Sequence, residues 1–185
     1  IDLSRLQGGE PLPELVPVEV DTVIAEAVDR TKLAASAKRI AIVTGGEGGL
    51  VVRGVESRLA TAVTNLLANA VHAMPEGGTL CIGTSQVSVD GAYCATHAEA
   101  KAGECVRLSV SDTGVGMSED VQAHLFGPFF TTKEVGRGSG LGLAAAYGIV
   151  KQHEGWIEVD SEVGVGTRFD IYLPVHEGEV EEAKT

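Results

Sequence analysis

Four groups of residues in this chain carry the types and spacing of a binding site for a phosphorylated ligand. The first is Asp112, followed by Thr113-Gly114-Val115-Gly116-Met117. A carboxylate at a strand end accepts a hydrogen bond from an exocyclic amino group. Gly114 and Gly116 let the backbone turn and let a flat ring approach with no Cβ in the way. The second is Gly138, Gly140 and Gly142, spaced by two where an apolar helix begins. Free N–H groups at a helix N-terminus among small residues form a phosphate cradle. The spacing matches neither a Rossmann fingerprint nor a Walker loop. Lys133 and Arg137 lie just upstream and supply cations. The third is Asn65, Asn69 and His72, four and three apart, which on a helix share an arc of roughly 60°. Two Asn one turn apart cost helix propensity. Their amide oxygens suit Mg²⁺, which also keeps water and phosphate oxygens. The fourth, Gly164-Val165-Gly166-Thr167, reads either as a plain β-turn between two strands or as a turn whose Gly166 and Thr167 line a base pocket beside Asp112.

The rest of the chain must position these residues. Its 185 residues suit one domain. Aromatics are 4%, so the core is aliphatic. A net charge of −12 with no basic patch excludes a nucleic-acid groove, so any anion is met by backbone N–H groups and a few local cations. Three cysteines with no C-x-x-C spacing argue against a zinc site or disulfide framework and fit a reducing compartment. Neither a spanning apolar run nor a leader pattern is visible. We expect a cytoplasmic domain making no membrane contact itself, which leaves room for an anchor elsewhere in a parent protein.

The periodicity predicts a helix over 21–36 with Asp21 as N-cap. A hairpin follows, from strands at 39–43 and 50–53 around Gly45–Gly49. A helix over 55–74 has the stripe Leu59, Val63, Leu66 and Ala70. A strand spans 79–89, then a loop 90–104, then a strand 106–111 into Asp112. Ser118 caps a short helix. A long helix starts near 139–140 and ends near His153, and strands 156–160 and 167–173 flank the Gly164–Gly166 turn. Helices between pairs of strands fit a mixed or antiparallel sheet better than a doubly wound parallel one.

Five motifs occur in order: N-L-L-A-N-A from Asn65, D-T-G-V-G-M from Asp112, F-G-P-F-F-T-T-K from Phe126, G-S-G-L-G-L from Gly138 and G-V-G-T-R-F from Gly164. They resemble the N, G1, F, G2 and G3 boxes of the catalytic and ATP-binding domain of bacterial sensor histidine kinases, within the ATPases that include gyrase B, Hsp90 and MutL. The resemblance covers about residues 20–174. It implies an α/β fold, a two-layer α/β sandwich (the Bergerat ATP-binding fold) with a mixed, mostly antiparallel sheet and helices on one face. It implies ATP and Mg²⁺ as ligands. Asn69 would hold Mg²⁺ with Asn65 assisting, and His72 would sit near the phosphates. Asp112 would take the adenine amino group, with Gly114, Gly116 and Thr167 around the base. Residues 118–139 would form a lid, with Lys133 and Arg137 reaching the phosphates. Gly138, Ser139, Gly140 and Gly142 would cradle them, and Leu141 would seat the lid. Asn65, Asn69 and Lys133 would be the catalytic set.

Hydrolysing relatives place a Glu where Asn65 stands, and an amide cannot take a proton from water. The resemblance therefore implies transfer of the γ-phosphoryl group to a His on a separate dimerisation (phosphoacceptor) domain, and onward to a response-regulator receiver domain. His153 is followed by Glu154 but lies at a helix end before Gly155-Trp156, so it is not the acceptor. Residues 1–17 would be the end of a preceding dimerisation helix and a linker, 18–175 the catalytic domain, and 176–185 an acidic tail. Gly54 stands where the family often has an Asp cap. Rival readings are an ATP-driven clamp, a non-enzymatic nucleotide sensor, and a serine-directed kinase of the same superfamily.

Overall fold

The computed structural model describes residues 14–125 and 142–176. In chain order the elements are β1 (Val16–Glu19), α1 (Val20–Ala37), β2 (Ile40–Gly46), β3 (Val51–Gly54), α2 (Glu56–His72), β4 (Gly78–Val89), α3 (Gly91–Thr96), β5 (Gly103–Asp112), α4 (Glu119–Ala123), α5 (Gly142–Gln152), β6 (Trp156–Glu162) and β7 (Gly166–Pro174). Five strands form one sheet in the order β2-β4-β5-β7-β6, in which β2 and β4 are parallel and every other neighbour is antiparallel. A second, two-stranded sheet pairs β1 with β3 antiparallel.

Alternation along the strands explains the layers, because successive side chains point to opposite faces. In β5, Val106, Leu108 and Val110 enter the main core, together with Phe169, Ile171 and Leu173 of β7. The three long helices cover this face, with α2 between α1 and α5. The stripe of α2 is fully buried, with Leu59, Val63, Leu66 and Ala70 at 3% exposure or less. This is the expected two-layer α/β sandwich with a mostly antiparallel sheet.

Four local expectations are corrected. The hairpin between residues 39 and 53 does not form, since β2 pairs in parallel with β4 and β3 pairs with β1. The glycine loop does not reverse the chain. Gly46 has φ +99°, and the Glu47 N–H continues to the Thr84 carbonyl (2.8 Å), so the chain still follows β4. Asp21 is not the N-cap of α1. The Val20 N–H is taken by the Leu50 carbonyl (3.0 Å), the helix starts directly from β1, and Asp21 instead accepts from the Gly49 N–H (3.0 Å). Val16 and Pro17, read as linker, pair with Gly54 and Arg53. The loop 90–104 also contains a short helix, α3, capped by Asp90, whose carboxylate accepts from the Tyr93 N–H (2.8 Å).

Candidate functional site

Asp112 ends β5 and is buried at 7% exposure. Its Oδ1 accepts from the Gly114 N–H (2.8 Å) and the Thr167 N–H (3.3 Å). Both bonds fall on one oxygen, so among the described residues Oδ2 is left for a ligand. Burial pushes the carboxyl pKa up, and the two N–H donors oppose that shift. Sheet register places Thr167 of β7 directly opposite Asp112, and Ser161 of β6 directly opposite Thr167. The three side chains form a row across three strands.

The loop after Asp112 is threaded between the end of α2 and the β6–β7 turn. The Val115 N–H donates to the Ala73 carbonyl (3.0 Å), and the Val115 carbonyl accepts from the Gly164 N–H (2.8 Å). A Cβ on Gly114 would lie 2.3 Å from the Ala73 carbonyl oxygen. One on Gly116, where φ is +74°, would lie 2.0 Å from that of Glu162. Both glycines are required by close approach to the Ala73 and Glu162 backbone; the expected sharp turn is seen at Gly116, and the Cβ positions of both face protein backbone. Ser118 caps α4 as expected, its hydroxyl accepting from the Val121 N–H (3.3 Å).

The polar face of α2 meets the start of α5. Asn65 Nδ2 donates to the Gly142 carbonyl (3.0 Å). Asn69 is half-buried one turn further along, and among the described residues its amide makes no hydrogen bond. His72 is exposed in the last turn of α2. The structure therefore brings two sets together: Asp112, Gly114, Gly116 and Thr167 around the end of β5, and Asn65 with Gly142 where α2 meets α5. Val115, bonded to Ala73 just beyond α2, links the sets. Lys133, Arg137, Gly138, Ser139, Gly140 and Leu141, with the expected lid, lie outside the described residues apart from its start, 118–125.

Sequence reasoning missed Ser161. Its Oγ accepts from the Met117 N–H (2.8 Å), lies 2.7 Å from Thr167 Oγ1 and donates to the Gly166 carbonyl (3.1 Å). Gln122 of α4 donates from Nε2 to the Met117 (3.0 Å) and Ser161 (3.2 Å) carbonyls. The available signal was the Gly164–Gly166 turn, because a hairpin closed there sets residue 161 against 167.

An acceptor at a strand end, a glycine loop beside it and amides on a neighbouring helix are the groups the structure gathers here. Residues 54–177 match the family model described as histidine kinase-, DNA gyrase B- and HSP90-like ATPase, and the chain belongs to that family. Among curated relatives it is 36% identical to the sensor-like histidine kinase SenX3 of Mycolicibacterium smegmatis, over 94% of this chain and 42% of that protein. It is 48% identical to the sensor kinase CckA of Brucella abortus, over 60% of this chain and 12% of that protein. The chain thus spans less than half the length of these relatives. Among solved structures, the mycobacterial sensor histidine kinase MprB aligns with a TM-score of 0.69 and 28% identity, covering 88% of this chain and 98% of that one. Full-length ShkA in complex with AMPPNP aligns at 0.74 and 26%, covering 96% and 34%. The catalytic domain of histidine kinase ThkA, at 0.71 and 24%, supports the fold. Among the described residues no helix is long and apolar enough to cross a membrane.

Proposed function

We propose that this domain binds Mg-ATP and transfers its γ-phosphoryl group to a His on a dimerisation (phosphoacceptor) domain, from which it passes to a response-regulator receiver domain. The observation carrying the reading is the buried Asp112, whose Oδ1 is held by two backbone N–H groups while Oδ2 stays open to an adenine amino group. Gly114 and Gly116 let the loop beside it pack against the Ala73 and Glu162 backbone. The N-terminus of α5, with Gly142, would face the phosphates; Lys133, Arg137, Gly138, Ser139, Gly140 and Leu141, outside the described residues, belong to the same proposed cradle and cover.

The donor set fits Mg²⁺. Among the described residues no three His, Cys, Asp or Glu side chains gather into a cation cage. The half-buried Asn69 amide has no hydrogen bond among these residues, so its oxygen is open to an ion that takes its other ligands from phosphate and water. Asn69 would hold it, with Asn65 assisting, and the ion would neutralise charge on the phosphates. Asn65 orients rather than deprotonates: its N–H is spent on the Gly142 carbonyl, and an amide is no base. His72 would approach the phosphates. The work of the site is positioning and electrostatics for an in-line transfer.

The test mixes this domain with Mg-ATP labelled on the γ-phosphoryl group and a separately produced dimerisation domain carrying its His. Label on that His is the expected result. Nucleotide binding with no label on any matching His domain would overturn the transfer and leave a nucleotide-sensing module. Steady hydrolysis by the domain alone would instead indicate an ATP-driven clamp.

A further inference from the structure

The geometry points to Ser161 as a specificity-determining positioning residue: it holds the Thr167 hydroxyl as a hydrogen-bond acceptor toward the base, so that the site takes a 6-aminopurine over a 6-oxopurine. The inference rests on the adenine reading of the Asp112 site and adds a second acceptor to it.

The direction of each hydrogen bond follows from the number of protons available. A hydroxyl has one hydrogen to donate and two lone pairs to accept with. Among the described residues Ser161 Oγ has three hydrogen-bonding neighbours: the Met117 N–H at 2.8 Å, which can only donate; the Gly166 carbonyl at 3.1 Å, which can only accept; and Thr167 Oγ1 at 2.7 Å, which can do either. One assignment satisfies all four groups. Ser161 accepts from Met117, donates to Gly166 and uses its remaining lone pair to accept from Thr167. In the opposite assignment Ser161 gives its proton to Thr167, and the Gly166 carbonyl loses this bond. The Thr167 proton is therefore spent on Ser161, and only lone pairs remain on Oγ1 for a ligand. Thr167 is buried at 5% exposure, where unmatched polar groups are costly.

The row of side chains then presents two acceptors side by side, Asp112 Oδ2 and Thr167 Oγ1. A 6-amino group brings two N–H donors and satisfies both. A 6-oxo group brings an acceptor against two acceptors. Gln122 holds the Ser161 and Met117 carbonyls from α4, which keeps the relay in register with the loop. Asp112 alone would reject the oxo group; Ser161 makes the rejection double.

The experiment measures ATP and ITP affinity for the wild-type domain and for Ser161→Ala, Ser161→Thr, Thr167→Val and the Ser161→Ala/Thr167→Val pair. ITP differs from ATP at the 6-position and the adjoining ring N–H. In Ser161→Ala the Thr167 hydroxyl is free to rotate and donate to the oxo group. The ATP-to-ITP preference should fall by roughly threefold to tenfold, the worth of one neutral hydrogen bond. Ser161→Thr should restore it, and Ser161→Ala should change nothing further in the Thr167→Val background. If Ser161→Ala does not fold, Ser161→Cys is read in its place, since its S–H is only a weak hydrogen-bonding group; the preference should again fall. Equal weakening of both nucleotides would mean that Ser161 merely holds the loop, and the proposal is overturned. A wild-type domain with no preference for ATP overturns the adenine reading itself, which is a separable result.

Discussion

At the residue scale, burial raises the Asp112 carboxyl pKa, so the fold disfavours the ionised form that the proposed contact to a ligand amino group would use. A raised acid pKa contributes stability below the unfolded value, and that contribution is lost as pH rises through the folded value. Asp112→Asn removes the buried charge and can keep an oxygen for the Gly114 and Thr167 N–H groups. We expect it to abolish adenine-nucleotide binding while raising the thermal unfolding midpoint at neutral pH, checked by calorimetry with and without ATP. Asn65 carries a different lesson. Its side chain donates to the Gly142 carbonyl, which a carboxylate cannot do. Asn65→Asp should set acceptor against acceptor between α2 and α5 and cost about 0.5–1.5 kcal/mol, read from urea midpoints. Asp112 and the amide pair were legible because their types are unusual where they stand. Ser161 was not, since serine in a strand is ordinary and only register gives it its neighbours.

At the element scale, α2 starts without a side-chain cap, and the cause lies 98 residues away. The Val55 N–H donates to His153 Nε2 (3.1 Å), while His153 Nδ1 lies 2.8 Å from the Ile149 carbonyl. This requires the neutral ring with its proton on Nδ1. A side chain from the end of α5 thus takes the N–H that a Glu inside α2 would take in a capping box. Gly54 is the counterpart: a Cβ there would lie 2.6 Å from the His153 ring and 2.9 Å from Leu59. Gly54→Asp, which restores the residue the family often carries, should therefore destabilise this chain by about 1–3 kcal/mol, measured by denaturant unfolding. Burial lowers the His153 pKa against the opposing hydrogen bond to Ile149, with the nearby Arg58 adding to the decrease. A lowered His pKa means that the unfolded chain binds the proton better. The contribution is complete above the unfolded value of about 6.5 and is lost as pH falls through that value towards the folded one. Unfolding midpoints of wild type and His153→Gln should converge as pH drops below 6.5. Helix α2 was legible from its stripe, whereas this cap was not, because the sequence expectation placed only its own neighbours near Gly54.

At the scale of the whole molecule, the two faces of the sheet serve different ends. The site lies on the helix-covered face. On the other face Val89, Cys105, Trp156 and Tyr172 form a second small core, with Tyr93 and Cys94 of α3 packed against it. Trp156 stacks on Tyr172 with ring centroids 4.9 Å apart, and Tyr93 stacks on His97 at 3.9 Å. Glu158 accepts from both the Tyr93 hydroxyl and the Trp156 ring N–H. The segment runs on to the edge of the sheet, where Glu99 accepts from the Tyr147 hydroxyl (2.6 Å) and pairs with Lys151 of α5 (3.6 Å). Tyr93→Ala should loosen this cover, at a cost of about 1–3 kcal/mol, and shift the emission of Trp156, the chain's one tryptophan, to the red. ATP affinity should be unchanged, which titration on the same sample would check.

The sequence by itself determined the apolar stripe of α2, the alternation of β4, β5 and β7, the Gly164–Gly166 turn and the glycine loop after Asp112. Each follows from local periodicity or from a residue type that few backbone shapes demand. Only the tertiary structure decided that β2 runs parallel to β4, that β3 belongs with β1, that His153 caps α2 and that Ser161 stands beside Thr167. Strand pairing and long-range capping depend on which surfaces the helices bury together, and that information is spread over the chain. The candidate site drew on both: its residue types stand in short motifs, and sheet register sets Asp112, Thr167 and Ser161 side by side.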